Sequence, residues 1–266
     1  MIQAPTQPCV VAPAGLYVYC VAHGADHHVF GPIGLDGQVV YTVGSGDIRA
    51  VVHNCPAQPY RSLDPETVEG WVLEHQNVVL AATGAFGTVL PMAFDMIVHG
   101  SPRGGAGDML KAWLDEKHER FALLLAKVAD RAEFAVQVLW DRAAVTAALL
   151  QEDAQLHQMQ DQVRAETKGM AHVLQQKLTA AVRAALATRA DRLAADSYDR
   201  IRRCVQDVRI DKLKKTPDGK QMLLNLSCLA REDAGELGRV LDVIQANPGV
   251  VVRFTGPWPP YSFVGG

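Results

Sequence analysis

The spacing of hydrophobic positions changes several times along the chain, and each change marks an element. Gly15 to His23, GLYVYCVAH, is rich in β-branched and aromatic residues and predicts a first strand. Two short strands follow near Val39 to Val43 and Asp47 to His53. Gly44-Ser45-Gly46 separates them, where glycine supplies the positive φ of a tight turn. Asp64-Pro65-Glu66 then reads as an N-cap with proline at the first helical position, where its missing N–H costs nothing. Behind it Val68, Trp71, Val72, Val78, Val79 and Ala82 recur at helical spacing, with His75 on the same stripe and Gly84 as the expected stop.

A strand over Gly87 to Phe94 and a glycine-rich loop from Gly100 to Gly107 lead to Asp108, the expected N-cap of a second helix that buries Met109, Trp113, Leu114, Phe121, Leu124, Leu125 and Val128. Glu133 to Trp140 alternates, with Phe134, Val136, Val138 and Trp140 on one side. The first half thus reads β-β-β-α-β-α-β.

From Ala143 to Asp199 the chain turns to Ala, Gln, Arg, Asp and Leu with no proline and one glycine, Gly169, which predicts long helices. The stretch before Gly169 is polar on most faces and reads as a connector; after it, Met170 to Leu193 keeps an apolar helical stripe. Arg203 to Leu213 and Lys220 to Ala230 predict a hairpin around Pro217-Asp218-Gly219. A helix from about Arg231 to Asn247 and a strand from Val250 to Thr255 complete an α-β-β-α-β half.

The expected class is therefore α/β (α+β), with two ferredoxin-like domains, each a mainly antiparallel sheet with helices on one face. The expected divisions are a disordered leader over 1–14, an N-terminal domain over 15–142, a helical connector over 143–168, a C-terminal domain over 169–256 and a tail over 257–266.

Composition narrows the function classes. At 48% hydrophobic and 21% charged residues with a net charge of -3, nothing favours nucleic acid as a partner. No segment offers the roughly 20 predominantly apolar residues of a bilayer span, so no membrane partner is expected. Cys9, Cys20, Cys55, Cys204 and Cys228 are odd in number and widely spaced, which reads as reduced thiols of a cytoplasmic protein.

The ending Thr255-Gly256-Pro257-Trp258-Pro259-Pro260-Tyr261-Ser262-Phe263-Val264 interleaves prolines with aromatics and resembles the C-terminus of the gas vesicle protein F/L family. Further matches follow in the family's order: the GLYVYCV strand, the helix bearing Trp71 and His75, TVLPMAF with Leu90, Pro91 and Phe94, Gly169, and MLLNLSCLA from Met222. Asp95-Met96 stands where the family usually has Gly-Thr. The resemblance implies a non-enzymatic accessory protein of gas vesicle assembly, cytoplasmic or vesicle-associated, whose partners are the small apolar shell subunit and other vesicle accessory proteins, with no cofactor.

Other candidates are weaker. His23, His27 and His28 lie close in sequence without the three or four ligands that zinc needs, and would carry the rival reading of a metal-binding protein or small-molecule enzyme. His75, on an apolar stripe, reads as a structural histidine. Gly104-Gly105-Ala106-Gly107 lacks the lysine and the spacing of a phosphate loop. Pro257, Trp258, Pro259, Pro260, Tyr261 and Phe263 fit a PxxP pattern, but exposing three aromatics is unfavourable, so the tail is expected to dock on the protein's own surface.

Overall fold

A computed structural model of the protein describes residues 15–264 except 103 and 217, with only the backbone of residue 168. The expected leader, the proline of the expected hairpin turn and the last two residues of the tail lie outside the described residues. The chain forms two compact units: one runs to Asp130 and is rejoined by the segment from Pro259, the other is Arg131–Trp258.

The first unit is built on a six-stranded sheet. Its strands are β1 (Gly15–His23), β2 (Val29–Gly31), β3 (Val40–Ser45), β4 (Ile48–Cys55), β5 (Val89–Pro91) and β6 (Ile97–His99). They run in the order β2-β3-β4-β1-β5, and β6 also pairs with β1. The pairings are antiparallel. Gly15 to Ala22 are all buried, so β1 is covered on both faces rather than one. Helix α1 (Pro65–Phe86) is capped by Asp64, which accepts from the N–H groups of Glu66 and Thr67. It passes the expected stop at Gly84 and ends at Gly87, whose φ of 76° needs no Cβ. Its buried face is His75, Val78, Val79 and Ala82, while Val68 and Val72 are exposed.

The single second helix of the sequence reading is two helices, α2 (Ala106–Glu116) and α3 (His118–Val128), broken at Lys117. Asp108 is not the cap. It lies in the first turn and its carboxylate reaches back 3.0 Å to accept from the Gly105 N–H, so the helix starts one residue after Gly105.

The second unit holds a four-stranded sheet in the order β10-β7-β9-β8. These are β7 (Arg131–Trp140), β8 (Asp207–Ile210), β9 (Gln221–Arg231) and β10 (Val250–Trp258). The alternating strand β7 pairs with β9 and β10, so it belongs to this sheet and not to the N-terminal one, and the division falls at Asp130 rather than after residue 142. Its apolar face, Phe134, Val136 and Val138, packs with Leu224, Leu226 and Cys228 of β9. Leu237, Leu241 and Ile244 of α7 (Gly235–Gln245) cover that core.

Between β7 and β8 lie α4 (Arg142–Glu152), α5 (Ala154–Ala165) and the 37-residue α6 (Lys168–Cys204). The segment expected to be a bare connector has its own core, because Val145, Leu149 and Leu156 pack with Leu178 and Leu186. Asp141 and Asp153 cap α4 and α5 through their carboxylates.

β10 runs three residues past the expected end. A register shift between Thr255 and Trp258 brings Trp258 opposite Glu133. Glycine is required at 256: φ is 134°, and a Cβ would lie 2.7 Å from Phe134 Cδ1 and 2.9 Å from the Glu133 carbonyl oxygen. Past Pro259-Pro260 the chain forms a one-turn helix, α8 (Tyr261–Val264), on β5 of the first unit.

Candidate functional site

The register of β1 against β4 sets Tyr17 opposite His53, and the first turns of α1 bring Trp71 and His75 over the same strands. The result is a buried tyrosine–histidine cluster. Tyr17 Oη lies 2.9 Å from His75 Nδ1, and Tyr19 Oη lies 2.8 Å from His53 Nδ1. Each phenol also accepts a backbone N–H, Asp95 onto Tyr17 at 3.0 Å and Leu35 onto Tyr19 at 3.0 Å. With its oxygen so engaged, each tyrosine directs its proton to Nδ1, which assigns the remaining proton of both imidazoles to Nε2. His53 Nε2–H then donates to Tyr60 Oη at 2.9 Å. His75 Nε2 is buried and has no hydrogen-bond partner among the described residues.

Burial controls the chemistry of these groups. It pushes the His53 imidazole down to about 4 and the His75 imidazole down to about 4, the Met92 backbone offsetting part of the second shift. The same desolvation raises the phenols of Tyr17, Tyr19 and Tyr60. At neutral pH the whole cluster is therefore uncharged, and imidazoles of such low basicity are poor proton acceptors. Its rings pack closely: Tyr17 stacks on His53 at 5.1 Å, Phe94 meets His75 edge-on at 5.9 Å, and Trp71 meets Tyr60 edge-on at 5.2 Å. Trp71 Nε1–H donates to Asp36 at 2.8 Å.

Asp95 explains the departure from Gly-Thr after Phe94. Its φ is 68°, the left-handed region that glycine enters freely and aspartate more readily than most residues. In that conformation its N–H reaches Tyr17 and its carboxylate accepts from the Tyr60 N–H at 3.0 Å.

The tail divides in two. Pro257 and Trp258 remain in β10 and are exposed, Trp258 by 48%, because backbone pairing with β7 holds them there. Pro259, Pro260, Phe263 and Val264 are buried, Tyr261 Oη–H donates to Gln76 of α1 at 2.9 Å, and the Lys127 ammonium stands 5.8 Å from the Phe263 ring. Tyr261 also comes within 6.3 Å of the His75 ring. Beside it opens an apolar groove of about 390 Å³ lined by Pro91, Met92, Trp113, Phe121, Tyr261 and Val264, with Lys117 and Arg120 as its cations. Leu90 of β5 is fully buried.

The other histidines diverge. His23 and His118 both approach Asp47, at 3.5 Å and 2.7 Å, while His27 stacks on Tyr41 and His28 packs on Phe30. Among the described residues no group of three or more His, Cys, Asp or Glu side chains is placed to hold a metal ion. Cys20, Cys55, Cys204 and Cys228 are free thiols, three of them buried. No helix among the described residues is long and apolar enough to cross a membrane.

Tyr19, His53 and Tyr60 were not singled out from the sequence. The signal was there in part, since Tyr17, Tyr19 and His53 lie in two predicted strands. Only their register pairs them.

Residues 15–265 match the family described as gas vesicle synthesis protein GvpL/GvpF. Gas vesicle protein L1 of Halobacterium salinarum is 32% identical over 259 residues, covering 94% of this chain and 90% of that protein. Gas vesicle protein F of a Streptomyces species is 32% identical over 253 residues, covering 93% and 98%. The fold is similar to the crystal structure of gas vesicle protein GvpF from an Anabaena species, with a TM-score of 0.70 at 20% identity over 95% of this chain and 98% of that one.

Proposed function

Because the chain belongs to the gas vesicle synthesis protein GvpL/GvpF family, we propose that it is a non-catalytic assembly component of gas vesicles that binds the small apolar shell subunit. In this reading it works in the cytoplasm and at the vesicle, needs no cofactor, and its other partners are vesicle accessory proteins. A shell subunit destined to face gas carries more apolar surface than a soluble protein tolerates, so it needs cover before it polymerises.

The observation that carries the proposal is the outer ridge of α1. Val68, Val72, Gln76 and Leu80 recur at i+4, with Leu73 seven residues before Leu80 on the same side. Val72, Leu73 and Leu80 are exposed by 47, 57 and 49%. Scattered apolar residues need no explanation, but a row of them along one helix offers a docking face. Tyr261 of the tail grips Gln76 within that row, so the motif segments and the exposed ridge adjoin.

Co-purification of the protein with tagged shell subunit tests this. The wild type is expected to be retained, and Leu73→Glu with Leu80→Glu to be lost from the bait while keeping the wild-type melting temperature. Deletion of the gene is expected to abolish vesicles. Retention of the double variant at wild-type levels would remove α1 as the docking face, and no retention of the wild type together with normal vesicle yield on deletion would overturn the proposal.

A further inference from the structure

We propose that the groove between α4, α5 and α6 in the second unit is a docking site for an amphipathic helix with acidic flanks, supplied by a protein partner. This inference rests on that unit alone and stands apart from the shell-subunit reading.

The groove has a volume of about 460 Å³. Leu178, Val182 and Leu186 of α6 form its floor at i, i+4 and i+8, joined by Leu150 of α4 and Val163 of α5. Leu178 and Leu186 are buried, whereas Leu150, Val163 and Val182 are only partly covered. A second row of α6, Gln175, Thr179 and Arg183, runs beside it at the same spacing. Such i±4 rows are the ridges and grooves into which another helix packs, and the open apolar seam between α4, α5 and α6 offers one more helix such a surface.

Charge identifies the neighbour. Arg142, Arg164 and Arg183 border the groove, and none of its lining residues is Asp or Glu. Arg142 and Arg183 form no ion pair among the described residues. Among the described residues Arg164 pairs only with Asp161, at 3.6 Å in an exposed i,i+3 pair that contributes little. Away from the groove, Arg189 pairs with Glu152 and Arg200 with Asp196, both at 2.7 Å. Three arginines and no carboxylate thus line the apolar seam. A helix with leucines facing the seam and glutamates on its flanks would cover the floor and engage three guanidinium forks that bind carboxylates bidentately. A polyanion such as nucleic acid would use the arginines but leave the aliphatic floor wet.

The full chain would be titrated, by fluorescence anisotropy, against a labelled designed helical peptide of roughly 15 residues with a leucine stripe and glutamate flanks, and against the same peptide with lysine flanks. The glutamate peptide is expected to bind, to weaken at higher salt, and to lose about tenfold in affinity to the Arg142→Glu, Arg183→Glu double variant, which is to bind the lysine peptide instead. Both positions are exposed, so an unchanged melting temperature shows that the variant is folded. Hydrogen exchange is expected to show protection over 142–150, 160–164 and 175–186. No binding by the glutamate peptide, or equal binding of the two peptides, overturns the proposal. So does concentration-dependent dimerisation lost in the variant without peptide binding, which would make the occupant a second copy. Variant-sensitive binding to anionic phospholipid vesicles without peptide binding would equally overturn it, in favour of a lipid surface.

Discussion

His75 and His53 are held neutral by the same force, withdrawal from water, and this fixes how the fold answers to acid. Each imidazole sits at about 4 against an ordinary 6.5. As pH falls below 6.5 the unfolded chain takes up protons that the folded one refuses. The contribution of each ring is thus complete above 6.5 and is lost progressively as pH falls toward 4, by up to about 3 kcal/mol per ring. Urea unfolding at pH 7 and pH 4.5 should show this loss, and His75→Gln should reduce it while leaving stability at pH 7 within about 1 kcal/mol, since the amide oxygen still accepts from Tyr17. His75→Leu should cost about 1–3 kcal/mol at pH 7, because it strands the buried Tyr17 hydroxyl. Asp95 offers a separate test. Asp95→Gly keeps the left-handed turn and loses the Tyr60 contact, whereas Asp95→Val forces a β-branched residue to φ 68° and should cost a further 1–3 kcal/mol or so, read from the denaturation midpoint. From the sequence, the burial of His75 was legible because its neighbours on α1 set the helical period. Its partners were not, because Tyr17 lies 58 positions away and meets it only through sheet register.

At the scale of elements, local signals and pairing signals part company. Helix α1 was legible from its Asp-Pro start, and β1, β4, β7 and β9 from their composition. The end of α1 was misplaced at Gly84, since a glycine inside a helix is tolerated and the cap requirement falls on Gly87. Three-residue strands β2 and β6 carry too few positions to show a period. Strand β7 shows why partners stay hidden: alternation reveals which residues share a face, but any sheet with a free edge could receive them. The tail helix α8 makes its own prediction. Burying Phe263 and Val264 is worth roughly 1.5–3 kcal/mol each, so ending the chain after Trp258 should lower the melting temperature by several degrees and raise aggregation. Tyr261→Phe, which removes only the bond to Gln76, should cost about 1 kcal/mol.

For the whole molecule, the two units differ in how they are strung. Arg131–Trp258 is a single run of chain with its own sheet and cores, and as a separate fragment it should unfold in one cooperative transition by circular dichroism. The first unit is interrupted: after Asp130 it waits for the segment from Pro259. A fragment ending at Asp130 should accordingly be soluble only poorly, with the surface around Met92 left open. The order of synthesis gives this arrangement a meaning. The ribosome finishes the second unit before it makes the residues that complete the first, so the first unit is sealed only when translation has passed Pro259 to Val264. A chain cut short between Asp130 and Pro259 would carry an unsealed first unit, and the cell's proteases would have a ready means of telling it from a molecule in which that unit is complete.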